Sequence, residues 1–468
     1  MIELTPILDD TKAEPLYIQL YRYIKEEIEG GRIRADIKLP SKRKLSSHLG
    51  ISENTIETAY QQLHAEGYVR SEPRKGMFVK ELEEDLYPYS RSVLPLNIIE
   101  RENTAGNYKI DFNHGKVDLY QFPYAAWRKL TIQSIYEDNN QVFLNGDPKG
   151  EFSLREEIAN YLFQSRGVSS APEQIIIGAG TQFLIGLLCM LIGKESIYAM
   201  EDPGFHRTRT VFKDQSVETM SIPLDADGVS MKHLEKSNAN VVYVTPSHQF
   251  PTGKIMPITR RTELLNWAKE NGCYIIEDDY DGEFRYKGKP IPSLQGLDSQ
   301  GSVIYLGTFS KSLIPSIRLS YIVLPATLLK KYDNHFSIYK QTVSRLHQET
   351  LIQFMKKGYW KSHLNKMRVT YRRKQKALVS AIKQYMGNKT TIIGEESGLH
   401  ILLHVQTNMT EAELVKTAEK EKVKVYPPSI YYEKYDADRP AMVLLGFGGL
   451  TETEIEEGIK LLSKAWFN

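Results

Sequence analysis

Apolar positions in the first eighty residues recur at helical spacing. Tyr17, Leu20, Tyr21, Ile24 and Ile28 fall three or four residues apart, with Lys25, Glu26 and Glu29 among them, which predicts an amphipathic helix over 15–29. Gly30-Gly31 stops it. Ser41, after Pro40, is placed to cap a second helix with Leu45 and Leu49 inward, and Gly50 ends that helix. Ser52 is placed to cap a third, whose inward stripe is Ile56, Ala59, Tyr60 and Leu63. The short turn between the second and third helices has helix-turn-helix spacing. Tyr68-Val69-Arg70 and Met77-Phe78-Val79 then flank a Glu72-Pro73-Arg74-Lys75-Gly76 turn, a hairpin that forms a wing.

The pattern changes along the chain. Residues 81–109 lack sustained periodicity, carry Pro, Ser and Asn, and read as a linker between a 1–80 domain and a 110–468 domain. Beyond it, short apolar runs (175–178, 196–200, 241–244, 274–277 and 303–307) alternate with amphipathic helical stretches. Continuous apolar strands alternating with helices predict a mostly parallel sheet covered on both faces, an α/β architecture. From about 325 onward the pattern is of helices with a few strands, a smaller α+β subdomain.

Composition adds little to that picture. Of the 468 residues, 41% are hydrophobic and 25% charged, and the net charge of +2 argues neither for nor against nucleic acid. The two cysteines, Cys189 and Cys273, stand in apolar stretches and read as buried free thiols. No signal peptide and no membrane-length apolar run is evident, so a cytoplasmic protein is expected. Charge placement is more telling. Arg32, Arg34, Lys38, Lys42, Arg43 and Lys44 cluster with the single acid Asp36, and Arg74 and Lys75 stand at the wing tip. Each phosphate neutralised by such a residue steepens the salt dependence of binding by about 0.9 log unit. The polar face of the third helix offers Asn54, Thr55, Thr58, Gln61 and Gln62, which suit base edges and phosphates.

In the second domain, candidate chemistry stands at strand ends. Ser310-Lys311 and Arg318 follow the run 303–307, where α/β folds bind ligands. An amine flanked by hydroxyls and followed by a guanidinium suits a ligand with both an aldehyde and a phosphate. Gly178-Ala179-Gly180-Thr181-Gln182 ends one strand and opens a helix whose N-terminus favours an anion. Glu277-Asp278-Asp279-Tyr280 ends another; a carboxylate there can pair with a pyridinium nitrogen while the tyrosine bonds a phenolic oxygen. The same acidic turn also suits a metal, although no His or Cys cluster accompanies it in the sequence. Thr245-Pro246-Ser247-His248-Gln249-Phe250-Pro251-Thr252-Gly253 ends a third.

The segments 39–69 and 74–79 resemble the GntR family of winged-helix regulators. That resemblance implies double-stranded DNA with two half-sites as partner, and contacts from Arg43, Ser52, Asn54, Thr55, Lys75 and Gly76. It departs at Glu53, where the family commonly has Arg; an acid there stabilises the helix dipole or, alternatively, accepts from cytosine N4. Residues 110–468 look like a fold-type I, class I aminotransferase, and the whole chain resembles the MocR subfamily of GntR regulators. The resemblance implies pyridoxal 5'-phosphate as cofactor and a sensor in place of a turning-over enzyme, with a working aminotransferase as the alternative. Lys311 is then the Schiff-base lysine, Asp278 the partner of the pyridine nitrogen and Tyr280 that of the phenolic oxygen. Gly180, Thr181, Gln182, Ser310 and Arg318 hold the phosphate, Phe205 stacks on the ring and Arg207 meets an effector carboxylate. A head-to-tail homodimer is also implied.

Two departures bear on the effector. Phe250 replaces the Asn usual in true aminotransferases. Gly449 stands where a GABA-sensing member of the subfamily has a carboxylate-gripping Arg, a loss worth about 1.5–3 kcal/mol. GABA is therefore disfavoured, and the expected signal is another amine or pyridoxal phosphate itself. Gly448-Gly449 is expected to leave a larger void that admits a bulkier amine, and Arg439, nearby in sequence, is a candidate substitute cation.

Overall fold

The computed structural model describes residues 4–11, 14–82, 108–136, 140–288, 291–434 and 439–467. The chain divides into two units, Met1–Thr104 and Ala105–Asn468. Most of the linker expected at 81–109 lies outside the described residues.

The first unit holds α1 (Leu16–Glu29), α2 (Lys42–Leu49), α3 (Glu53–Ala65) and the hairpin β1 (Val69–Glu72) with β2 (Gly76–Val79). Both predicted caps form. Ser41 accepts from the Lys44 amide and Ser52 from the Thr55 amide, while Gly50 ends α2 in the left-handed region. Leu20, Ile24, Leu45, Ile56, Ala59 and Leu63 are buried in one core, and burial of each large side chain contributes about 1.5–3 kcal/mol. In the hairpin Glu72 pairs with Gly76. Gly76 has φ +117°, a conformation any side chain would strain, and Lys38 Cε lies 3.1 Å from where its β carbon would sit.

The second unit opens with β3 (Ile110–Asp111), α4 (Tyr124–Tyr136) and α5 (Phe152–Arg166). Then come β4 (Ile175–Gly178), α6 (Thr181–Ile192), β5 (Ile197–Asp202), α7 (His206–Asp214), β6 (Glu218–Asp225), β7 (Gly228–Val229) and α8 (Met231–Leu234). β8 (Val241–Val244), α9 (Ile258–Asn271), β9 (Tyr274–Asp279), α10 (Leu294–Leu297), β10 (Val303–Thr308) and β11 (Ser320–Val323) complete the sheet region. The sheet order is β4-β11-β10-β9-β8-β5-β6-β7. β6, β5, β8, β9 and β10 run parallel, and β11 is antiparallel to both its neighbours.

Both faces of the sheet are covered, which is why its strands read as unbroken apolar runs. Ile175, Ile177 and Tyr305 face one core, Ile176, Ile304 and Leu306 the other. Register places the strand ends level. Ser320 of β11 stands opposite Gly178 of β4 on one side and Thr308 of β10 on the other, while Gly307 stands opposite Asp279. The loops after β4, β9 and β10 therefore leave the sheet along one edge.

The remainder is α11 (Ala326–His335), α12 (Arg345–Lys356), α13 (Tyr359–Tyr385), β12 (Thr390–Ile393), β13 (His400–Val405), α14 (Glu411–Lys420), β14 (Val423–Lys424), β15 (Met442–Gly446) and α15 (Glu452–Phe467). β12, β13 and β15 form an antiparallel sheet, and β14 pairs with β3. This extends the expected C-terminal subdomain: Ile110, Phe112 and Val117 are buried in its core, because the β3–β14 pairing draws the start of the unit into it.

Candidate functional site

A cleft of about 430 Å³ lies along the shared edge of the sheet, walled on its far side by Leu399, His400 and Tyr431. Residues from eight separated segments line it, among them Thr181, Phe205, Asp278, Tyr280, Lys311 and Arg318. Every candidate cofactor residue except Gly180 is part of the lining, and Gly180 precedes Thr181 as the N-cap of α6.

Lys311 leaves β10 three residues beyond Thr308 and donates to the His114 carbonyl. Burial, aided by the charge of Arg207 and opposed by Asp281, pushes its ammonium down to about 8. Asp278 is buried; Tyr243 donates to Oδ2 in a short bond, and Oδ1 has no partner. Burial, with Asp279, Asp281 and Glu201 nearby, raises its carboxyl to about 7. The Tyr280 hydroxyl lies 2.8 Å from His248 Nδ1 and donates to the His248 carbonyl at 3.0 Å. At the opposite end Gly180 has φ +97°, and a β carbon there would overlap the Arg318 guanidinium. Arg318 is itself left-handed (φ 51°) and donates to the Ala179 carbonyl at 3.4 Å. Ser310 joins a hydroxyl chain with Thr308 and Ser320. No side chain caps α6, so its first-turn N–H groups are open to an anion.

Phe205 stacks face to face on Phe250, centroids 4.0 Å apart and planes 5° apart, so one of its faces is already covered. Arg207 is exposed on the cleft wall beside His206, His114 and Tyr431. His114 is held neutral, its pKa lowered to about 3 by burial and the nearby Lys311 and Arg207 charges. The imidazoles of His114 and His206 each keep a buried Nδ1 without a partner.

Several expectations need correction. Gly448 and Gly449 pack closely on Lys116, where a β carbon on Gly448 would lie 2.7 Å from the Lys116 carbonyl and one on Gly449 2.6 Å from Lys116 Cβ. Gly449 is outside the cleft lining and lines a second cavity of about 830 Å³ with Lys116, Leu119, Tyr120, Tyr124 and Pro315. Arg439 does not enter the cleft; its guanidinium sits 3.7 Å from the Tyr432 ring centroid and lines a separate cavity with Thr410 and Glu411. The acidic turn does have histidines beside it. His248, Asp281 and His400 offer ligand atoms within 4.8 Å of one another, drawn from segments distant in sequence. His248 Nδ1 meets both Asp281 oxygens at 3.0 Å, and His400 Nε2 donates to the Pro251 carbonyl at 3.2 Å.

In the first unit, Arg43, Ser52 and Asn54 are exposed at the start of α2 and α3, and Lys75 and Gly76 at the wing. Ser52 and Thr55 spend their hydroxyls on each other (2.8 Å) and on the cap, and Lys75 is paired with Glu72 at 3.2 Å. Lys42 is paired with Glu57 and Arg70 with Asp36. Of the predicted DNA-contacting side chains, Arg43 and Asn54 take no part in these pairings.

Residues 107–462 match the family model for aminotransferase class I and II, and residues 16–79 that for bacterial regulatory proteins of the gntR family. Two regulators span the whole arrangement. YdeL of Bacillus subtilis, described as an uncharacterized HTH-type transcriptional regulator, is 47% identical over 99% of this chain and 100% of its own length. The probable rhizopine catabolism regulatory protein MocR of Rhizobium meliloti is 31% identical over 98% of this chain and 95% of its own. Kynurenine aminotransferase of Pyrococcus horikoshii, solved in complex with PMP, aligns at TM-score 0.68 and 26% identity, over 76% of this chain and 90% of that one.

The aminotransferase fold implies pyridoxal 5'-phosphate, and the cleft fits that group. An unpartnered buried carboxylate oxygen on Asp278 suits a protonated ring nitrogen, an amine with lowered pKa at Lys311 suits an aldehyde, and the cradle of Gly180 and Arg318 suits a phosphate. Among the described residues no helix is long and apolar enough to cross a membrane. With a gntR-type helix-turn-helix ahead of an aminotransferase class I and II domain, and full-length similarity to regulators of that build, this chain belongs to the MocR-type HTH transcriptional regulators.

Proposed function

We propose that this regulator binds operator DNA through its first unit, and that its second unit senses an amine, or pyridoxal 5'-phosphate itself, in the cleft. The observation that carries this reading is the convergence of Lys311, Asp278, Tyr280, Ser310, Arg318 and the α6 N-terminus on one cleft. When bound, pyridoxal 5'-phosphate supplies an aldehyde that primary amines capture reversibly and a ring that makes the captured amine visible by absorbance. Lys311 holds the aldehyde, Asp278 faces the ring nitrogen and Tyr280 the phenolic oxygen. Gly180, Thr181, Gln182, Ser310 and Arg318 hold the phosphate, while Phe205 and Phe250 wall the ring site. Arg207, exposed on the same wall, receives an effector's carboxylate.

The domains divide this labour as 1–80 for DNA, 81–109 as linker and 110–468 as sensor. Arg43 and Asn54 carry the DNA contacts most directly, with Ser52, Thr55, Lys75 and Gly76 around them. The regulator acts in the cytoplasm as a homodimer, head to tail. Leu119, Tyr120, Tyr124, Ile132, Ile135 and Tyr136 support a dimer, being large apolar side chains exposed along one segment of the chain. A dimer presents two winged helices to two half-sites, and an amine in the cleft shifts the population competent to bind both. Phe250 in place of Asn favours sensing over turnover.

The test is operator affinity of the full chain, measured with cofactor alone and with cofactor plus a panel of amines. The proposal predicts that at least one addition changes the affinity and that Lys311→Ala abolishes the response. Sustained keto-acid production over many turnovers, with DNA affinity indifferent to every addition, overturns it.

A further inference from the structure

The two oxygens of Asp278 have different environments. Oδ2 accepts the hydroxyl proton of Tyr243, whereas Oδ1 is buried without a partner. Tyr243 stands in β8, the strand next to β9, and is 2% exposed. Its oxygen in turn lies 3.4 Å from Thr208 Oγ1, which donates to it from α7. A phenol has one proton to give. The hydroxyls of Thr208 and Tyr243 therefore form a directed chain that ends on one carboxylate oxygen and leaves the other available.

The charges facing Asp278 all oppose its ionisation: Asp279 and Asp281 from its own segment and Glu201 from the end of β5. α7 contributes Thr208 from the helix side, and Tyr280 keeps its hydroxyl on His248. Tyr243 is the donor that works against burial and these acids. It also fixes which oxygen is left free.

We infer that Tyr243, oriented by Thr208, is the positioning residue that keeps Asp278 ionised and presents Oδ1 to the cationic ring nitrogen of a pyridine-type cofactor. The inference rests on the cofactor reading above. The sign follows directly: without the Tyr243 hydroxyl, Asp278 takes up its proton at a higher pH, and the charge needed by the ring nitrogen is lost earlier on acidification.

The test is the full-length Tyr243→Phe protein, with pyridoxal 5'-phosphate affinity followed by visible absorbance as a function of pH. Cofactor binding is expected to weaken about tenfold near neutral pH, and the acid limb of the affinity profile to move up by about one pH unit. Thr208→Val is expected to move the limb the same way by less. Circular dichroism of the unloaded variants checks that the fold survives. An unchanged affinity with an unchanged limb overturns the inference, as does a loss of affinity that is equal at every pH, since that marks mere packing. A wild-type chain that takes up no cofactor, or a Lys311→Ala chain with the wild-type visible band, overturns the cofactor reading first and this inference with it.

Discussion

At the residue scale the cleft is a contest between burial and charge. Lys311 has the outcome most easily measured, because burial has brought its ammonium down to about 8. A lysine with lowered pKa is the neutral nucleophile above that value and the inert cation below it. The rate of cofactor loading, followed by stopped-flow absorbance, is therefore expected to rise with pH and level off near 8; levelling only above the ordinary lysine range contradicts this. Gly180 offers a second prediction. Since a β carbon there meets the Arg318 guanidinium at a backbone with φ +97°, Gly180→Ala is expected to weaken cofactor affinity by about tenfold or more. An equilibrium titration giving wild-type affinity counts against the cradle. Lys311, Asp278 and Arg318 were legible in the sequence because each lies in a run at a strand end. Tyr243, His114, His206 and Tyr431 were not. Tyr243 reads as one more apolar position of β8, His114 and Tyr431 reach the cleft from segments that only the folded chain brings together, and His206 lies between Phe205 and Arg207 without a motif of its own.

At the element scale the N-terminal unit is the most readable part, since its caps, glycine stops and apolar stripes are local signals. The sheet was less so. β11 continues an apolar pattern like its neighbours, and nothing local tells a strand that it will run antiparallel between β4 and β10. The pairing of β3 with β14 joins residues more than three hundred apart, so the true extent of the small subdomain was invisible from the sequence alone. For α2 and α3 the committed and uncommitted groups separate the roles. Arg43→Ala is expected to weaken operator binding and lower the salt slope by about 0.9, as one lost phosphate contact does. Glu53→Ala, which removes a helix-dipole charge, is expected to leave base preference unchanged. Binding-site selection and salt titration check the pair; a changed base preference in the Glu53 variant assigns that acid to base readout instead.

At the scale of the whole molecule, a gntR-type DNA-binding unit and an aminotransferase-type unit with separate cores stand along one chain. Gly449 packs on Lys116 and, outside the cleft lining, lines a second cavity of about 830 Å³. The cleft wall itself holds Arg207, His206, His114 and Tyr431. The central claim is that Lys311 joins the cofactor to this chain. It is tested most directly by the visible absorption spectrum of the purified full-length protein titrated with pyridoxal 5'-phosphate, beside the same titration of Lys311→Ala. The account predicts a saturable visible band in the first that is missing from the second while circular dichroism stays the same; an identical band in both, or none in the wild type, contradicts it.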